Sequence, residues 1–153
     1  MKPTSKQAKK LILLIADNEA LTSHLYDAYA KNFPEEEVFW QELSIDEARH
    51  YEWVTKLFEY AKEYEITISD ERIDSKIAKE LKRDVERMIL LANKVNIKQA
   101  YNNAVKIEFN LAERDYFSIL HSTKRSVMII LESLETSSKR HLKLVLEKQS
   151  KKH

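Results

Sequence analysis

The chain has 153 residues, with no glycine, two prolines and no cysteine, and it carries 26 basic residues against 25 acidic ones. The lack of cysteine excludes disulfides, a thiolate nucleophile, iron–sulfur clusters and a rubredoxin-type iron centre, and the near balance of charge gives no broad field to steer nucleic acid. The lack of glycine removes the usual residue of left-handed turns and, with abundant Lys, Glu, Leu and Ala, points to long helices in a single all-α domain over residues 1–153.

The first expected helix runs from Ser5 to Asn32, with Ala8, Ile12, Ile15, Glu19, Thr22, Tyr26, Tyr29 and Phe33 on its inward stripe. Its apolar run from Leu11 to Ala16 is too short to span a bilayer, and Asp17 and Glu19 follow it with no small-residue cleavage site. No membrane partner is therefore expected, and the location is read as cytoplasmic. A second helix starts at Pro34, with Glu35, Glu36 and Glu37 in its first turn, and ends near Glu65. Its stripe is Trp40, Leu43, Glu47, His50, Val54, Leu57 and Ala61.

Ile66-Thr67-Ile68-Ser69 breaks the helical period, and Ser69 or Asp70 can cap the segment that follows. That segment, from about Asp70 to Val95, carries Ile73, Ile77, Leu81, Val85, Met88, Ala92 and Val95, and reads as packing or as the surface of a homodimer. Asn96 caps a further helix with Ile97, Tyr101, Ala104, Glu108, Leu111 and Asp115 inward. After a break at Ser122-Thr123, the last helix places Val127, Leu131, Leu134, Ser138, His141 and Val145 on its stripe. The first two helices and the last two are joined tightly, and one long helical connection separates the pairs. That is the antiparallel four-helix bundle with one crossover found in ferritin-like folds.

Polar residues interrupt the stripes at matching depths: Glu19, then Glu47 and His50, then Glu108, then Ser138 and His141. Glu47 and His50 are three residues apart, so acid and imidazole share one face of a helix and form a ready metal chelate. Buried polar groups left without partners would cost roughly 1–3 kcal/mol each, a cost that a bound cation or shared protons would offset. Tyr26, Tyr29, Tyr101 and Tyr116 lie near the same stripes, either bonded to a ligand carboxylate or as core aromatics. His24, His121 and His153 fall outside the constellation, as does Glu113, and Asp115 is a marginal stripe member.

The segments Ile15-Ala16-Asp17-Asn18-Glu19, Asp46-Glu47-Ala48-Arg49-His50 and Ala104-Val105-Lys106-Ile107-Glu108 resemble the rubrerythrin branch of the ferritin-like superfamily, over nearly the whole chain. The resemblance implies Glu19, Glu47, His50, Glu108 and His141 as ligands of one or two iron ions, with manganese as an alternative. It also implies reduction of peroxide or dioxygen with oxidation of ferrous iron. Where the family has a second Glu-x-x-His, this chain reads Ser138-Lys139-Arg140-His141. Glu135, about one turn earlier, either swings in to replace the missing carboxylate or stays at the surface. The site then holds one metal, holds two weakly, or is relict. With no rubredoxin-type centre, turnover would need an external electron donor. The alternative is a non-enzymatic helical interaction module that kept the scaffold and a degenerate site.

Overall fold

Stripes of apolar residues three and four apart bury best when several helices share one interior, and these stripes do so. The computed structural model describes residues 4–64, 66–68, 75–113 and 120–151, with backbone alone for 4, 5 and 111–113. It is all-α apart from one very short ladder. The helices are α1 (Thr4–Asn32), α2 (Glu37–Glu63), α3 (Ser75–Leu90), α4 (Ile97–Glu113) and α5 (Arg125–Ser150). The buried residues of α2 are Trp40, Leu43, Glu47, His50, Val54, Leu57 and Ala61, and those of α5 are Val127, Leu131, Leu134, Ser138, His141 and Val145, as the period alone predicts for both helices.

Side-chain bonds give the relative directions. Ser23 of α1 and Ser44 of α2 each donate to the other's backbone carbonyl at 2.8 Å. On α1 and α4, Tyr26 meets Glu108 and Tyr29 meets Asn103. Glu36, just before α2, meets Lys148 of α5, while His50 of α2 meets Ser137 of α5. In the last two pairs one index rises as the other falls, and on α1 and α2 Glu19 meets His50 while Tyr26 packs on Trp40, so these neighbours are antiparallel. Helix α3 runs parallel to α1: Asn18 Nδ2 donates to the Ala78 carbonyl at 3.1 Å, and Asn32 Nδ2 to that of Ala92 at 2.7 Å.

Three details depart from the sequence reading. Pro34–Glu36 is a tight 3-10 turn before α2, as suits a proline with no N–H to leave unpaired. The crossover helix ends at Leu90 instead of Val95, and Ala92–Lys94 forms a second 3-10 turn. Its termination leaves Leu90 79% exposed, and the Asn32 amide takes the Ala92 carbonyl. Thr67–Ile68, expected as a simple break, pairs antiparallel with Leu120–His121. Ile66, Ile68 and Leu120 are buried there, so the ladder closes one end of the core. The expected cap at Ser69 or Asp70, and Ile73, Asp115, Tyr116 and His153, lie outside the described residues.

The interior divides along its length. One apolar cluster gathers the start of α1, the end of α2, the ladder and the start of α5, including Ile12, Ile15, Leu57 and Leu131. The other gathers the end of α1, the start of α2, parts of α3 and α4 and the end of α5, and it is aromatic: Tyr26, Tyr29, Trp40 and Tyr101. Buried polar residues lie between them.

Candidate metal centre

Glu19 on α1, Glu47 and His50 on α2, Glu108 on α4 and His141 on α5 meet in that layer, none more than 2% exposed. Glu47 is at the centre. Its Oε1 lies 2.8 Å from His141 Nδ1, and its Oε2 lies 3.4 Å from His50 Nδ1. Glu19 Oε2 approaches His50 Nδ1 at 3.3 Å on one side, and Glu108 Oε1 approaches His141 Nδ1 at 3.9 Å on the other. The layer is therefore two carboxylate–imidazole pairs that share Glu47. The two rings are nearly parallel, with centroids 4.9 Å apart.

Both imidazoles turn Nδ1 inward and Nε2 outward. His50 Nε2 meets Ser137 Oγ at 2.6 Å, and His141 Nε2 meets Asp46 Oδ2 at 3.2 Å. Arg140 and Arg49 bind Asp46 in turn, at 2.8 and 3.3 Å. An outer hydrogen bond that fixes the tautomer and leaves the inner nitrogen free is the usual support for a metal-bound histidine. Neither Asp46 nor Ser137 stands out on its stripe. The signal that could have found them is their place one turn from a candidate histidine ligand, Asp46 four residues before His50 and Ser137 four before His141.

Electrostatics in the layer is unbalanced. Burial pushes the Glu19 carboxyl well above the ordinary carboxylate range, and the charge of Glu47 adds to that. Glu108 is raised in the same way, by burial first and by Glu47 next. Burial acts on Glu47 in the same sense, but the close polar groups of Glu19, His141 and His50 outweigh it and hold Glu47 well below that range. Burial alone would lower the pKa of His50, yet Glu19 and Glu47 outweigh it and push the ring up to about 10. Protons thus serve as the counter-charge for three closely packed carboxylates.

That arrangement leaves atoms without ordinary hydrogen-bond partners: Glu19 Oε1 and Oε2, Glu47 Oε2, Glu108 Oε2 and His50 Nδ1. Glu108 Oε1 differs, because the Tyr26 hydroxyl donates to it at 2.8 Å. Glu47, His50 and His141 each bring one ligand atom within 4.8 Å of the others, so this buried group could hold a metal ion. Carboxylate oxygens with imidazole nitrogens suit iron, manganese or zinc.

The structure corrects one candidate. Glu135 does not reach the layer: Lys139 holds its carboxylate at 3.0 Å on the outer side of α5. Ser138 is buried in the layer, on the helical face that carries His141. Tyr26 touches a candidate ligand, whereas the Tyr29 hydroxyl accepts from Asn103 at 2.9 Å and Tyr101 packs among aromatics. His24 and His121 are exposed. Outside the histidines, an open groove of about 560 Å³ runs between α2 and α5, lined by His50, Trp53, Ser137 and Arg140 among others. Among the described residues no helix is long and apolar enough to cross a membrane. In comparisons with known proteins, no family model, no curated protein and no solved structure matched the chain.

Proposed function

We propose that this chain is a rubrerythrin-like member of the ferritin-like proteins, a four-helix bundle of α1, α2, α4 and α5 that binds iron and uses it on peroxide or dioxygen. The observation that carries this reading is the set of buried carboxylate and imidazole atoms without ordinary partners, converging from four helices. Such a layer costs stability unless a cation, or protons shared among its groups, offsets the charge. Glu47 is the shared ligand, flanked by Glu19 with His50 and by Glu108 with His141. Iron, when bound, supplies the electrons that peroxide or dioxygen takes up.

The chain's own groups do the rest. Glu19, Glu47 and Glu108 would neutralise the charge of a bound ion, and His50 and His141 would supply nitrogen ligands. Asp46 and Ser137 hold the imidazoles in the orientation that presents Nδ1. The apolar clusters above and below exclude water. Because Ser138 is no carboxylate, the layer has three acids for its ions, and one metal is held more firmly than a second. An external electron donor completes turnover, since the chain has no cysteine from which to build a centre of its own.

Anaerobic titration with ferrous iron, followed by elemental analysis and an absorption spectrum, tests the reading. Retained iron in the parent and none in Glu47→Gln is the expected result. A second reading is a polar layer with no metal in a helical interaction module. It is favoured by the direct His141–Glu47 and Tyr26–Glu108 bonds, both 2.8 Å, which close part of the layer without an ion. Failure of the folded parent to retain iron, manganese or zinc would decide for it.

A further inference from the structure

The five candidate ligands are buried, so a donor in solvent cannot touch what they hold. One line of side chains leads outward from them. The Tyr26 hydroxyl donates to Glu108 Oε1 at 2.8 Å. The Tyr26 ring lies 5.5 Å from the Trp40 indole, centroid to centroid. Trp40 stacks on Tyr101 at 5.2 Å with the planes 18° apart. The Glu36 carboxylate lies close enough to the Tyr101 phenol to push its pKa up, after burial, and Lys148 binds Glu36 at 2.9 Å where both side chains are a quarter exposed. Tyrosine and tryptophan are the side chains most readily oxidised by one electron, and these three touch ring to ring between the polar layer and the surface. Core packing alone asks only for rings of this size. It does not require a hydroxyl bonded to a candidate ligand at one end and a carboxylate beside the outer phenol at the other.

We propose that Tyr26, Trp40 and Tyr101 form a one-electron relay between the buried centre and a reductant that docks at the Glu36–Lys148 surface. The purpose of the relay rests on the redox reading above; its ring geometry does not. With an oxidised metal bound, Tyr26 would give it one electron while the phenolic proton shifts along its 2.8 Å hydrogen bond toward Glu108 Oε1. Trp40 returns an electron to Tyr26, and the proton comes back from Glu108. Tyr101 then reduces Trp40 while its own proton passes to Glu36, and a one-electron reductant in solvent restores Tyr101 with that proton. The net change is one electron moved inward, with every aromatic residue and every proton back where it began.

The lack of cysteine makes a clean test available. In Glu35→Cys, next to Glu36 and exposed, the single thiol takes a ruthenium polypyridyl label. Flash-quench oxidation of the label injects a hole at the outer end, and the same ring-to-ring couplings carry it in either direction. The full chain is measured metal-free and zinc-loaded, zinc being redox-silent. Transient absorption and electron paramagnetic resonance should show a tyrosyl signal whose Tyr26 share, the part missing in Tyr26→Phe, is lost or sharply reduced in Trp40→Phe and in Tyr101→Phe. Circular dichroism establishes that each variant is folded, and Tyr101→Phe, which removes one hydroxyl, serves if Trp40→Phe is not. A radical yield unchanged in both folded variants, or no Tyr26-dependent radical in the folded labelled parent, would overturn the relay. Zinc that fails to bind counts against the metal site and leaves the metal-free measurement to decide on the relay.

Discussion

At the scale of single residues, Glu47 has the most demanding position, with a histidine on each of its oxygens. Glu47→Gln keeps the shape and removes the charge, so it should abolish metal retention while the protein stays folded, as read by titration and circular dichroism. Asp46→Asn weakens the outer hold on His141 together with the Arg140 and Arg49 ion pairs. A loss of metal affinity of roughly 10–100-fold is expected from such a change, measurable by competition with a chelator. The raised acids and imidazole also set a pH dependence. Glu19, Glu108 and His50 hold protons in the metal-free protein that ligation must displace, so metal uptake should release protons and tighten as pH rises. For the metal-free fold, the contribution of His50 is fully present below its ordinary 6.5 and is lost as pH rises through about 10. Glu19 and Glu108, also raised, act in the same sense, and Glu47, which is depressed, loses its contribution as pH falls. Melting temperatures of metal-free protein should therefore decline between pH 6.5 and 10, and a flat profile would contradict the layer's assigned protonation.

At the scale of elements, α4 begins with a reciprocal cap: the Gln99 N–H donates to Asn96 Oδ1, and the Asn96 N–H to Gln99 Oε1, both at 2.8 Å. Asn96→Ala should destabilise the protein by about 1 kcal/mol, seen as a lower denaturant midpoint with an unchanged slope. That cap was legible in the sequence, as were the buried stripes of α2 and α5, because helical period and capping chemistry are local. The ladder of Thr67–Ile68 with Leu120–His121 was not, since two residues give too little alternation and the partner is remote in sequence. The candidate ligands were legible because charged residues on an apolar stripe are conspicuous. Asp46 and Ser137 were missed because they act from half-buried positions flanking the stripe, where polar residues are ordinary. The standing of Glu135 depended on which side chain reached it, and a neighbour one turn away, Lys139, decided that.

At the scale of the whole molecule, an apolar cluster lies on each side of a charged layer that all four flanking helices enter. Ser138 occupies that layer where a further acid would complete the neutralisation of two ions. Ser138→Glu should raise the iron retained per chain, measured by elemental analysis after anaerobic loading, and an unchanged ratio would count against a damaged two-metal centre. Burial of the ligands has a kinetic side as well. With every candidate ligand at or below 2% exposure, a chelator in solvent would have little direct access to an ion held there. Release must wait for α2 and α5 to part along their groove, so the exchange rate becomes a property of the fold's own opening. At high chelator concentration the rate should level off, and it should rise in mild denaturant. The protein would then keep its metal through brief scarcity, as a container with a slow door and not as a buffer in equilibrium with its surroundings.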